Sequence, residues 1–253
     1  MIRVPAAAAK NSRNATVRTH RSAWPFDPFD GFDRLTAGRL RDHHAPAIMM
    51  QPFFVIDGID GAGKSTQAAL LAEALEREGR PVTRVRDPGG TELSDRIRAV
   101  LLSPSTPVSP AAELCLYAAA RAQLVQEIIR PALDAGKIVI SDRFTWSTFA
   151  YQGSGRGLSR DFIAQREDIA CGGVRPAHVF VLDLKPSGRM ARLKQKGTAL
   201  DRLEREDEAF FNRVRDGFLE MARANPEMGT ILDASLPLQG IHTAILDAVR
   251  RML

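Results

Sequence analysis

The chain has 253 residues, of which 44 % are hydrophobic and 26 % charged, a balance typical of a globular protein. The formal net charge of +5 does not indicate a nucleic-acid partner, because residues 1–50 carry eight Lys or Arg against four Asp and leave 27 basic and 26 acidic residues beyond them. No window approaches the roughly 18 apolar residues of a membrane helix, so no membrane partner is expected. The two cysteines, Cys115 and Cys171, lack metal-ligand spacing and favour a reduced, cytoplasmic compartment.

The first 50 residues show no sustained period of 2 or 3.6 and are predicted to be a disordered extension of a single domain at 51–253. Residues 1–26 hold five basic groups and no acid, which resembles an organellar transit peptide. A mis-assigned start is the alternative, since Met49 and Met50 stand just before the first predicted strand. We favour a dispensable tail over a targeting signal.

A phosphate-binding loop is the strongest motif of the chain. An apolar run at 53–56 predicts a buried strand, and Gly58, Gly63, Lys64 and Ser65 then fill the pattern G-x-x-x-x-G-K-[ST] without a mismatch. Backbone N–H groups of such a loop surround a polyphosphate; Lys64 would reach the β- and γ-phosphates, and the Ser65 hydroxyl would bind the nucleotide's magnesium ion. A glycine-rich turn with no ligand is the alternative, which the complete match disfavours.

The rest of the chain alternates predicted strands with predicted helices, which indicates a parallel sheet covered on both faces. Beyond the loop, strands are predicted at 82–86, 137–141, 178–184 and 230–233, and helices at 64–78, 92–102, 110–133, 159–171, 186–193, 206–223 and 238–252. Glycines at 151–157 predict a loop. The strand at 137–141 ends at Asp142 and Arg143, where open α/β sheets bind their ligands.

Five motifs carry a resemblance to a known family. They are GIDGAGKST at 58–66, RDPGGTEL at 86–93, LYAAARAQL at 116–124, SDRFTWSTFAYQGSGRG at 141–157 and LDRLERE at 200–206. In this order they resemble the thymidylate kinase family, from about residue 53 to the end of the chain. The resemblance implies a three-layer α/β P-loop fold with a five-stranded parallel sheet and a short lid at about 194–205. It also implies a homodimer that phosphorylates dTMP to dTDP with ATP and Mg²⁺, in the supply of dTTP.

The resemblance assigns residues to the donor, the metal and the reacting phosphates. The residues that match ATP-binding positions are Gly58, Ile59, Asp60, Gly61, Ala62, Gly63, Lys64, Ser65 and Thr66, with Arg192 near the adenine. Those that match magnesium-binding positions are Ser65, Asp60 and Asp142. Arg143 should clamp the acceptor phosphate, because its planar fork of donors suits two phosphate oxygens. Asp142 would hold magnesium waters or orient that arginine. The alternative for Asp142 and Arg143 is a surface ion pair without function, which would stabilise the protein by ~1 kcal/mol or less.

For the acceptor, Tyr117 and Arg121 lie four residues apart and hence on one helix face. Tyr117 offers an aromatic face to a pyrimidine, and Arg121, which only donates hydrogen bonds, would satisfy O4 of thymine but would oppose the amino group of cytosine. Without the motif, helix packing would explain both residues. The resemblance adds Asp60 at the sugar 3′-hydroxyl, with Asp87, Thr148, Tyr151, Gln152 and Glu204 around the acceptor; Asp87 stands where bacterial relatives usually carry Glu.

The lid at 194–205 departs from the family pattern. Arg202 matches a catalytic arginine, but Lys196 stands where another is expected, before an apparent one-residue insertion. Because lysine cannot bridge two oxygens as a fork, Lys196, Lys194 or Arg192 could take that role, and a solvated charged helix remains the alternative. Two other functions are open: a related P-loop kinase of another nucleoside or nucleoside monophosphate, and a nucleotide-binding homologue with impaired catalysis.

Overall fold

The computed structural model describes residues 51–196 and 199–253, with the side chains of 194–196 outside that description. The disorder predicted for residues 1–50 and the side-chain role predicted for Lys196 therefore lie outside the described residues.

A five-stranded sheet of parallel strands forms the centre of the fold, in the order β2-β3-β1-β4-β5. Its strands are β1 Phe53–Asp57, β2 Val82–Arg86, β3 Ile138–Asp142, β4 His178–Asp183 and β5 Gly229–Asp233. Every residue of β1 and β3 is buried, as expected for strands covered on both faces. The predicted α/β fold with a five-stranded parallel sheet is confirmed.

Helices connect successive strands and pack against the sheet and against one another. They are α1 Lys64–Arg77, α2 Glu92–Leu102, α3 Pro110–Leu124, α4 Arg130–Asp134, α5 Thr145–Thr148, α6 Arg160–Cys171, α7 Pro186–Lys196, α8 Glu208–Ala224 and α9 Leu238–Met252. A π-helical turn at Val125–Ile129 joins α3 to α4. No helix of the described residues is long and apolar enough to cross a membrane.

The loop predicted at 151–157 is wrong for most of its length, because a π-helical turn at Phe149–Gly155 continues α5. Gly153 and Gly155 permit close packing of this turn against its neighbours. A Cβ on Gly155 would lie 2.7 Å from the ring of Phe210 in α8. Tyr151, on the same turn, is buried with its ring edge-on to Phe210, Phe211 and Phe218.

The carboxyl ends of the three neighbouring strands β1, β2 and β3 position the site. Ile56 of β1 and Arg86 of β2 are both in register with Asp142 of β3. The backbone N–H of Asp87 donates to the Asp142 carbonyl at 3.0 Å. The phosphate loop after β1, the turn after β2 and Arg143 after β3 consequently lie at one edge of the sheet, where ligands of such sheets bind.

Candidate active site

The phosphate loop lies between β1 and the start of α1, and its backbone has positive φ at Gly58, Gly61 and Gly63, a conformation that favours glycine. Gly58 has φ 132°, and a Cβ there would lie 2.5 Å from the carbonyl oxygen of Leu182 in β4. Gly63, with φ 98°, takes a left-handed conformation just before α1. The first N–H groups of α1 therefore open onto the loop, where the helix dipole favours an anion.

Lys64 is buried at the start of α1, and its Nζ donates to the carbonyl of Ile59 at 2.8 Å. Burial, together with the nearby Arg143, lowers its pKa to about 8, although Asp60 and Asp142 oppose the shift. The lysine is thus predominantly a cation at neutral pH, as phosphate binding requires.

Arg143 connects the phosphate loop to the residues after β3. It has φ 74°, a left-handed conformation that residues other than glycine seldom adopt and that is concentrated at functional sites. Nη1 donates to the carbonyl of Gly58 at 2.8 Å and to Ser147 Oγ at 2.9 Å. Nη2 donates to Asp60 Oδ1 at 2.6 Å and to Tyr151 Oη at 3.2 Å. The guanidinium is therefore held in one orientation beside the loop.

Asp60 receives hydrogen bonds on both carboxylate oxygens, since Tyr151 Oη donates to Oδ2 at 2.9 Å. Burial alone would raise the pKa of Asp60, but Arg143 and Lys64 lower it below its ordinary value. Asp60 is consequently a carboxylate at neutral pH and can accept a hydrogen bond from a substrate hydroxyl.

Asp57, at the end of β1, forms hydrogen bonds with the phosphate loop and with Ser147. Its Oδ1 accepts from Gly58 N at 3.0 Å and from Ser147 Oγ at 2.7 Å. Its Oδ2 has no hydrogen-bond partner among the residues that the structure describes, and burial raises the pKa of the group despite the nearby Arg143. Asp57 thus holds both the loop and a serine that contacts Arg143.

An adjoining open cavity, with about 480 Å³ of space including the solvent at its mouth, is lined by most of the residues predicted for the acceptor. Eight of the nine line it together: Asp60, Asp87, Tyr117, Arg121, Arg143, Thr148, Tyr151 and Gln152. Arg98 and Leu102 of α2, and Asp201 and Leu203 from 199–207, complete much of the wall. The predicted common face of Tyr117 and Arg121 is confirmed.

Arg121 is 1 % exposed and is bound on several sides. Nε donates to Asp87 at 2.5 Å, and Nη1 donates to Thr148 Oγ1 at 2.8 Å and to the carboxylate of Glu167. Nη2 donates to the carbonyl of Phe144 at 3.3 Å. Burial opposes its charge, yet the two carboxylates raise the pKa of Arg121, which remains a cation.

Gln152 and Arg202 both contact Glu113, a fully buried carboxylate in the first turn of α3. Gln152 Nε2 donates to Glu113 Oε1 at 2.7 Å, and Arg202 Nη2 lies 2.6 Å from Glu113 Oε2. Arg202 Nε also donates to the carbonyl of Leu101 at 2.8 Å. The structure therefore places Arg202 against α2 and α3, outside the lining of the cavity.

Glu204 likewise does not line this cavity. Its carboxylate accepts from the backbone N–H of Asp201 at 3.1 Å, and its own N–H donates to Asp201 Oδ1 at 2.8 Å. Arg192, by contrast, contacts the phosphate loop, since Nη1 donates to the carbonyl of Gly61 at 3.3 Å while Nη2 binds the carbonyl of Ala234 at 2.7 Å. The catalytic and acceptor roles of Arg202 and Glu204 stay predictions.

Two of the three residues predicted for magnesium are in contact, because the Ser65 hydroxyl donates to a carboxylate oxygen of Asp142. Asp60, the third, is instead paired with Arg143. No cluster of three or more His, Cys, Asp or Glu with the geometry of a metal site occurs in the described part of the chain.

Four side chains with a part in this geometry are not predicted by the sequence patterns: Asp57, Arg98, Glu113 and Glu167. Arg98 lies four residues before Leu102 on one helix face and both line the cavity, but no sequence pattern marks either as a site residue. Asp57 could be inferred as a charge at the end of a buried strand. Glu113 and Glu167 are paired through contacts distant in sequence, which no local pattern marks.

The fold and the site define a class of protein, a P-loop kinase of nucleotides: a donor loop and an acceptor cavity meet at the carboxyl edge of a parallel sheet, with one arginine between them.

Comparison with known proteins gives the particular family. The family model described as thymidylate kinase matches residues 56–245. The thymidylate kinase of Pelotomaculum thermopropionicum is 45 % identical over 206 residues, 81 % of this chain and 95 % of that protein. That of Pseudomonas fluorescens strain SBW25 is 50 % identical over 194 residues, 76 % of this chain and 92 % of that protein. A crystal structure of thymidylate kinase from Ehrlichia chaffeensis matches with a TM-score of 0.63 at 32 % identity, covering 78 % of this chain and 97 % of that one. The chain belongs to the thymidylate kinase family, whose members are phosphotransferases that use ATP.

Proposed function

We propose that this chain transfers the γ-phosphoryl group of ATP to dTMP, forming dTDP and ADP. The observation that carries the proposal is the position of Arg143, which contacts the phosphate loop at Gly58 and Asp60 and also lines the acceptor cavity. Transfer between two anionic nucleotides needs alignment and neutralisation of charge more than covalent chemistry. A fixed guanidinium between the two sites supplies both.

The donor would bind on the backbone N–H groups of the phosphate loop, with Lys64 neutralising its terminal phosphates. Arg143 would hold the acceptor phosphate through its planar fork. Asp60, ionised and adjacent to Arg143, would accept a hydrogen bond from the 3′-hydroxyl of the acceptor sugar. Arg192 extends the donor site from α7, since it already contacts the loop at Gly61.

Magnesium fits the donors present at the loop. Mg²⁺ prefers oxygen ligands and usually binds through one or two protein groups plus water and substrate phosphates. The adjacent hydroxyl of Ser65 and carboxylate of Asp142 would hold it, with Asp60 nearby. When bound, the ion neutralises charge on the β- and γ-phosphates.

The base would lie between Tyr117 and Arg121, with Thr148, Tyr151 and Gln152 around the base and sugar. Support comes from the shared cavity, whose lining includes an arginine held by two carboxylates, a residue type that can donate to a carbonyl oxygen but cannot accept from an amino group. Thymine and uracil offer such an oxygen at position 4, whereas cytosine offers an amino group. The cavity chemistry therefore favours dTMP over dCMP.

We further propose a homodimer with a lid at 194–205, in which Arg202, Glu204 and one cation among Lys196, Lys194 and Arg192 complete the site. The extension 1–50 is proposed to be dispensable and the protein cytoplasmic. Light scattering of the full chain and of a variant beginning at Met50, with activity measured for each, tests the dimer and the extension together. A monomer, or loss of activity on truncation, contradicts the respective proposal.

A coupled ADP-release assay with the four deoxynucleoside monophosphates, combined with chromatographic detection of dTDP, tests the function directly. We expect dTMP to be the preferred acceptor and Lys64→Ala to abolish turnover without unfolding the protein. Preference for another acceptor would identify a related kinase. Calorimetric binding of ATP and dTMP without dTDP formation would identify a homologue that has lost catalysis.

A further inference from the structure

Arg121 has nearly exhausted its hydrogen-bonding capacity within the protein. A guanidinium has five N–H donors: one on Nε and two on each terminal nitrogen. Nε binds Asp87, and Nη1 binds both Thr148 and Glu167. Nη2 binds the carbonyl of Phe144. In residues 51–196 and 199–253 these bonds use four of the five donors and leave one, on Nη2, in a side chain that lines the acceptor cavity.

Two carboxylates fix the plane of this guanidinium from different elements. Asp87 follows β2 and lines the cavity, whereas Glu167 projects from α6 and does not line it. Both are at least 95 % buried, so their attraction to the arginine acts in a medium of low polarity. Since one contact is on Nε and the other on Nη1, neither rotation nor retraction of the guanidinium is possible without breaking one of them.

Within the described residues, the charged partner of Glu167 is Arg121, and Thr148 and Cys171 are its neutral neighbours. One oxygen, Oε2, contacts Arg121 and lies 3.9 Å from the Cys171 thiol. The other, Oε1, has no hydrogen-bond partner in the part of the chain that the structure describes. Burying a carboxylate with an unpaired oxygen is costly, so its position is explained by what it does to Arg121.

We propose that Glu167 is a positioning residue for base selectivity: together with Asp87 it orients Arg121 so that the remaining Nη2 N–H faces the oxygen at position 4 of the acceptor pyrimidine. This inference rests on the proposed function and adds to it a residue that acts through Arg121. A base with an amino group at that position meets a donor that cannot turn away, and is rejected.

Steady-state kinetics of Glu167→Gln test the inference, because glutamine keeps the shape of the side chain and one acceptor oxygen but removes the charge. We expect kcat/KM for dTMP to fall about tenfold through a higher KM, and the ratio of kcat/KM for dTMP to that for dCMP to shrink by a similar factor. The KM for ATP should not change, since the polar partners of Glu167 lie outside the phosphate loop.

Asp168→Asn is the matched control, because it removes an acid from the adjacent, exposed position of α6; its selectivity should equal that of the wild type. Glu167→Asp, which restores the charge on a shorter side chain, should recover part of the selectivity. If Glu167→Gln remains folded by circular dichroism and its ratio of kcat/KM for dTMP to that for dCMP is unchanged, the role is overturned. If Glu167→Gln does not fold, Glu167→Asp decides, and a ratio equal to that of the wild type overturns the role. A wild-type protein without dTMP turnover contradicts the proposed function instead.

Discussion

Arg143 Nη2 donates a hydrogen bond of 2.6 Å to Asp60 Oδ1, which links the residue after β3 to the middle of the phosphate loop. The two side chains follow the adjacent strands β3 and β1, and their separation in sequence is 83 residues. Tyr151 bonds to both and closes the group. Because Arg143 also takes a left-handed backbone conformation, the packing around it holds a geometry that the chain alone would not favour.

Arg143→Lys should lower kcat by roughly two to three orders of magnitude with little change in thermal stability. Lysine keeps the positive charge but cannot contact Gly58, Ser147 and Asp60 at once, nor hold two oxygens of a phosphate. Steady-state kinetics with dTMP measure the effect, and Arg84→Lys on the exposed side of β2 is the control. Near-normal turnover in Arg143→Lys would show that phosphoryl transfer does not require the arginine.

A second prediction concerns pH. Lys64 has a folded-state pKa of about 8, lowered by burial and by Arg143, and the loop needs the lysine as a cation. The protonated fraction is therefore high below pH 8 and falls as the pH rises through that value. We expect kcat/KM for ATP to be constant near neutrality and to decline by up to a factor of about ten per pH unit above pH 8.

The variant Lys64→Arg checks the assignment of that decline, because arginine stays charged throughout the range. Whatever activity it retains should show no fall near pH 8. A decline of equal size and midpoint in the variant would show that another group is responsible.

Much of the fold follows from local sequence patterns. The buried apolar runs of β1 and β3 and the phosphate loop between β1 and α1 each lie within a few residues, so their patterns are visible without knowledge of tertiary contacts. The acceptor residues follow from the family motifs, and eight of them do line one cavity.

What the sequence does not reveal depends on partners far along the chain. Glu167 is one of several charged residues in α6, and it differs from Asp168 only because it faces Arg121, which is 46 residues away. The sequence predicts a loop at 151–157, although most of that range belongs to the π-helical turn Phe149–Gly155, because glycines disfavour a helix unless another element packs closely against them. Here α8 does so, through Phe210 and Val214.

Gly155→Ala should therefore destabilise the protein. A Cβ at this position would lie 2.7 Å from Phe210 Cε2 and 2.9 Å from Val214 Cγ2, so α8 would have to move away from the turn that carries Tyr151. We expect a loss of about 1–3 kcal/mol in the free energy of unfolding, measured by urea denaturation.

Gly240→Ala in α9 is the control for that substitution. A Cβ there has no heavy atom within 4 Å, and alanine is the better helix former, so a gain of up to about 1 kcal/mol is expected. Equal stability of the two variants would show that the contact between the turn and α8 adjusts freely.

Arg189 provides a prediction about the lid. It is 2 % exposed in α7, its guanidinium stacks 3.5 Å from the ring centre of Phe211 in α8, and Nη2 donates to the carbonyl of Glu204 at 2.9 Å. Arg189 thus connects α7, which leads into the predicted lid at 194–205, to Glu204 near the other end of that lid. Its own backbone also packs near Gly61 of the phosphate loop. Loss of the hydrogen bond should consequently loosen the lid over the donor.

Arg189→Met retains apolar contact with Phe211 but removes both the charge and the bond to Glu204. We expect the KM for ATP to rise about tenfold while the KM for dTMP is unchanged, because Arg189 packs near the phosphate loop and does not line the acceptor cavity. Arg223→Met, which removes an exposed arginine of α8, should leave both constants at their wild-type values. If Arg189→Met lowers the melting temperature yet leaves the KM for ATP unaltered, Arg189 stabilises the packing of α7 on α8 and does not position the lid.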